Sequence, residues 1–86
     1  MYVIENYPSK RKFLDDVKRL KQLREQESSA NEPEIGRLEA RLQVWTPGPF
    51  GATQNGRTTI EGPHAPKPHK WYSAVTVRDG IVIQAS

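Results

Sequence analysis

Cysteine is absent from this chain of 86 residues. That excludes disulfides, thiolate zinc sites and cysteine nucleophiles together, and points to a reducing compartment, so the expected location is the cytoplasm. Long apolar runs are missing as well. Nothing approaches the roughly 20 residues that span a bilayer, and the opening Met1 to Asn6 has no basic stretch ahead of an apolar core. No signal peptide and no membrane contact are expected. Charge of one sign is not in great excess: 13 basic and 10 acidic residues leave a net charge of +3. Residues 1–41 carry nine basic against eight acidic groups, and residues 42–86 four against two. A dedicated nucleic-acid binder usually shows a clustered basic stripe instead.

Catalytic vocabulary is equally sparse. Ser9, Ser28, Ser29, Ser73 and Ser86 stand in no strand-turn-helix nucleophile elbow. Asp15 and Asp16 are adjacent on a helical pattern, so their carboxylates diverge rather than act as an acid/base pair. Gly48 and Gly51 are separated by Pro49 and Phe50, which is neither a P-loop nor a dinucleotide turn. His64 and His69 are the only histidines. With Glu61 they could suggest three metal ligands, but the spacing matches no established metal pattern. The reading is of a chain that is not an enzyme, with no cofactor and no metal.

Apolar residues make up 35% of the sequence. At this length folding hides about 60–65% of the unfolded surface. One small domain over residues 1–86 with a thin core follows, and its oligomeric state is left open.

Met1 to Ile4 reads as a short strand, and Pro8 interrupts it. Ser9 stands as an N-cap before Phe13, Leu14, Val17, Leu20 and Leu23, whose spacing predicts a helix from Ser9 to Glu27. Asn31 with Glu34 resembles a capping box, and Pro33 falls in a first turn. A second helix is expected from Glu32 to Arg41, followed by a strand from Gln43 to Trp45. Residues 9–41 then form a helical hairpin arm whose wholly polar tip projects from the domain.

Beyond Trp45 the composition changes. Five of the seven prolines lie beyond residue 46. Asn55-Gly56 is a tight-turn signal ahead of a strand over Arg57 to Ile60. Pro63, Pro66 and Pro68 predict an extended, polyproline-like stretch that loses little entropy on docking. Trp71 to Arg78 and Ile81 to Ala85 flank the hairpin dipeptide Asp79-Gly80. A two-residue turn would pair Arg78 with Ile81, Val77 with Val82 and Val75 with Gln84. Trp71, Val75, Val77 and Val82 then share one face, and Tyr72, Ala74, Ile81 and Ile83 the other. Both faces look partly apolar, so each should be covered. The fold class is α+β: an N-terminal strand, a helical hairpin and a small antiparallel sheet over residues 42–86 with Pro/Gly-rich loops and a C-terminal hairpin.

Three readings of function follow. Phe50, Trp71 and Tyr72 beside His64, Lys67, His69 and Lys70 place aromatic anchors on a proline-stiffened loop, which suits a protein-binding surface. Arg11, Lys12, Lys18 and Arg19 lie on one helix and could grip the phosphates of RNA or DNA. A third, a structural virion or assembly protein, is implied only by the resemblance that the segments below carry.

Several segments also carry a resemblance: Tyr7-Pro8-Ser9-Lys10, Pro47 to Gly51, Asn55-Gly56-Arg57, and Glu61 to His64 continuing from Pro66 to Tyr72. Over about half its length the chain resembles short accessory proteins of bacteriophages and mobile elements. Residues 22–41 depart from that pattern and look like an insertion. The resemblance implies a small protein that binds a larger host protein or nucleoprotein complex and inhibits or modulates it, in the manner of anti-defence or host-takeover factors.

Overall fold

The structure, a computed structural model, describes residues 1–47 and 51–86. It is α+β, with two helices and two small antiparallel sheets. Strand β1 (Tyr2–Val3) pairs with β2 (Val44–Trp45), and β3 (Gly56–Gly62), β4 (Trp71–Arg78) and β5 (Ile81–Ala85) form the second sheet in that order. The sheets are joined at both edges. Glu61 N donates to Met1 O (3.1 Å) beside β3, while Val44 N donates to Gly80 O (2.8 Å) and Val82 N to Leu42 O (3.1 Å) beside β5. Backbone bonds thus run around a nearly closed ring.

Helix α1 (Lys10–Glu25) begins where the cap signal places it, with Ser9 Oγ accepting from Lys12 N at 3.4 Å. It ends two residues before the expected Glu27, which takes a left-handed φ of 49°. Its apolar stripe is the expected one: Phe13, Val17, Leu20 and Leu23 are buried. A 3-10 turn over Ser29–Asn31 leads into helix α2 (Glu32–Arg41), which adds Leu38 to the core, as Leu42 does just after it. The expected capping box does not form. Asn31 already has helical φ and ψ, whereas a cap needs extended backbone, and its amide donates to Gln26 Oε1 at 2.8 Å instead. Two ion pairs stitch the helices together, Arg19 to Glu34 (3.1 Å) and Arg24 to Glu39 (2.6 Å). Among the described residues no helix is long and apolar enough to cross a membrane.

The C-terminal hairpin turns at Asp79 and Gly80, whose φ values of 52° and 79° are the left-handed pair this turn requires. Its register departs from the expected one. Beyond Val77↔Val82 the ladder shifts, so Thr76 faces Gln84 and Val75 faces Ala85. Ile83 is the extra residue of a bulge, which re-aims it toward α1, where it lines clefts with Leu14, Val17 and Leu20. The outer face of the sheet is consequently mostly polar, with Arg57, Thr59, Tyr72, Ala74 and Gln84 exposed. Of the apolar residues expected on that face, Ile81 is half-buried and packed against the core, while Tyr72 and Ala74 stay exposed. The inner face, carrying Ile60, Trp71, Val75, Val77 and Val82, packs against α1.

Candidate functional site

The β3–β4 connection, residues 63–70, is where the sequence places most of the partner-binding residues. It is not extended. Lys70 N donates to Gly62 O (2.7 Å) and Lys67 N to His64 O (3.2 Å), so the stretch turns back on itself. The sheet ladder, which pairs Gly62 with Trp71, brings the two loop ends together. Proline restricts φ but leaves the path free to turn, and the pairing of the flanking strands demands that it does.

Both histidines pin this loop to the N-terminal strand. His64 Nε2 lies 2.8 Å from Val3 O. A carbonyl only accepts, so Nε2 carries the proton. The His64 backbone N–H donates to Asn6 Oδ1 at 2.8 Å. His69 Nε2 lies 2.8 Å from the Tyr2 hydroxyl, and its Nδ1 is 3.7 Å from Glu61. Glu61 also meets the Met1 amino group at 3.0 Å.

The rings form one cluster. Tyr2 lies 5.3 Å from Trp45, 5.0 Å from His64 and 5.5 Å from His69, centroid to centroid. Trp45 Nε1 donates to Val3 O at 3.1 Å. Sequence reasoning missed Tyr2, Asn6 and Trp45. The sequence offers strands over Met1 to Ile4 and Gln43 to Trp45 but not their pairing, which sets Tyr2 opposite Trp45.

The expected contact residues divide. Tyr72 is 55% exposed on the outer face, edge-on to His69 at 6.3 Å. Lys67 and Lys70 are exposed and line a cleft of about 450 Å³ with Asn6, Pro8, Pro63 and Pro68. His64 and His69 are half-buried. Trp71 is a correction: at 7% exposure it belongs to the inner face of β4, stacks on Phe13 at 5.1 Å and donates Nε1 to Tyr7 O at 3.0 Å. Strand alternation turns it away from its neighbour Tyr72. Phe50 lies outside the described residues.

The basic helix face is also divided. Arg11, Lys12 and Lys18 are exposed. Arg19 is not free for phosphate, because Nε and Nη2 donate to the two carboxylate oxygens of Glu34 at 3.1 and 3.2 Å. Those hydrogen bonds raise the Arg19 pKa and lower that of Glu34. Lys12 borders a cleft of about 400 Å³ whose wall includes Tyr7, Asp15, Asp16 and Arg41. Burial, and then the hydrogen bond the Tyr7 phenol donates to Asp16, hold that phenol's pKa far above its ordinary value. Arg41 bridges Asp16 (3.6 Å) and Glu5 (3.7 Å). Among the described residues no three histidine, aspartate or glutamate side chains converge as metal ligands.

Compared with protein-family models, with curated proteins and with solved structures, the chain matches none.

Proposed function

We propose that this chain is a non-enzymatic protein-binding module of the phage accessory kind, working in the cytoplasm by inhibiting or modulating a larger host protein or nucleoprotein complex. The observation that carries the proposal is Tyr72. It is a large aromatic, 55% exposed at the start of β4, and it stands edge-on to His69 of a loop already held in one shape. Tyrosine with flanking polar groups is a common anchor at interfaces, and a pre-ordered loop loses little freedom on binding. The bonds from His64 and His69 to Val3 and Tyr2 supply that order, so these histidines act as fasteners. The nucleic-acid reading is weaker by one cation, since Arg19 is engaged by Glu34.

The test is affinity capture from a host lysate by the wild-type chain and by a Tyr72→Ala/Lys70→Glu variant. The expected result is a protein partner whose recovery falls at least tenfold with the variant. Equal recovery by both, or recovery of nucleic acid alone with a steep loss at moderate salt, overturns the proposal.

A further inference from the structure

At the β5 edge of the sheet, two strands away from β3, a groove runs between α1 and β5. Two clefts of about 480 and 310 Å³ adjoin there, with Lys21, Ile83 and Gln84 lining both. Leu14, Val17, Leu20, Ile83 and Ala85 line it. Leu14, Ile83 and Ala85 are only half-buried, so apolar surface remains accessible. Ile83 is there because of the bulge; regular pairing would have turned it to the outer face.

We propose that this groove is a docking site for an extended acidic segment of a partner protein that carries apolar anchor residues. Charge complementarity identifies the occupant. Lys18, Lys21 and Arg78 are exposed at the groove and, among the described residues, make no ion pair, whereas neighbouring Arg24 is engaged by Glu39. Glu25 and Glu27 balance Arg78 and Lys21 at the larger cleft, so the cationic excess lies at the smaller one, with Lys18 and Lys21 and no carboxylate. A neutral apolar ligand would leave Lys18 and Lys21 unmatched, and a uniformly charged polymer would leave the apolar floor unused. Alternating anionic and apolar side chains satisfy both. From Leu14 to Glu25 the helix advances about 17 Å, the span of about five residues of extended chain. The site stands apart from the Tyr72 surface and does not depend on it.

A fluorescein-labelled heptapeptide of alternating glutamate and leucine is the probe, with fluorescence anisotropy as the readout. The expected result is binding that weakens at least tenfold in Lys21→Glu/Arg78→Glu and in the independent variant Lys18→Glu, and for the peptide with glutamine in place of glutamate. These positions are exposed, and circular dichroism melts verify that the variants fold. Tyr72→Ala should leave the affinity unchanged. Equal affinity for the glutamine peptide, no loss in the charge-reversal variants, loss in Tyr72→Ala, or displacement by a labelled oligo-dT through the same lysines overturns the assignment.

Discussion

Trp71 faces inward, and its environment is tight enough to make two sharp predictions. Its indole stacks on Phe13, so Trp71→Ala removes a core ring and should destabilise the chain by about 3–5 kcal/mol. A lower urea midpoint with an unchanged slope is the expected reading. Gly62 lies against the same indole: a Cβ there would stand 2.5 Å from Trp71 Cζ2. The ring is held by its stacking on Phe13 and its bond to Tyr7 O, so Gly62→Ala should cost about 1–3 kcal/mol, measured the same way. Tyr7 sets the alkaline limit. Its phenol stays protonated in the fold, while in the unfolded chain it titrates near 10. The unfolded state therefore sheds a proton the folded state keeps. Stability is intact below pH 10 and falls as pH rises above it. Urea denaturation between pH 8 and 11 should show that decline, and Tyr7→Phe should flatten it.

Among the elements, the turn signals were the most legible part of the sequence. Asp79-Gly80 marked the hairpin correctly because left-handed backbone at both turn positions is a local requirement. Gly80→Ala should therefore cost about 1–2 kcal/mol, visible as a drop in melting temperature. The bulge one step further along was not legible. It depends on where α1 lies, since the shifted register sets Ala85 opposite Val75 and against the core and leaves Ile83 facing a cleft beside the helix. The proline-rich loop misled for the same reason. Its composition argued for an extended ridge, yet strand pairing at Gly62 and Trp71 bends it back, and His64 and His69 fasten it to β1. A His64→Ala/His69→Ala variant should lose hydrogen-exchange protection at the Lys67 and Lys70 amides, with the amides of α1 unaffected.

Across the whole molecule, the short N-terminal strand does more than its length suggests. Residues 1–5 bond to both the β2 segment and β3, so the first residues of the chain join the two sheets. The helical hairpin is likewise part of the body, because Leu38 and Leu42 enter the core and residues 22–41 are no mere appendage. Two surfaces of different character result: a polar sheet face bearing Tyr72, and an apolar groove rimmed by cations along α1. The sequence alone determined the α+β class, the helical stripe, the cap at Ser9 and the hairpin turn, since each rests on periodicity or on backbone preferences spanning a few residues. Only the tertiary structure decided which aromatic faced outward, which cations were already neutralised and how the two histidines were employed. Those outcomes join residues as much as 67 positions apart, Tyr2 with His69 among them, and such pairings arise from packing that no local pattern records.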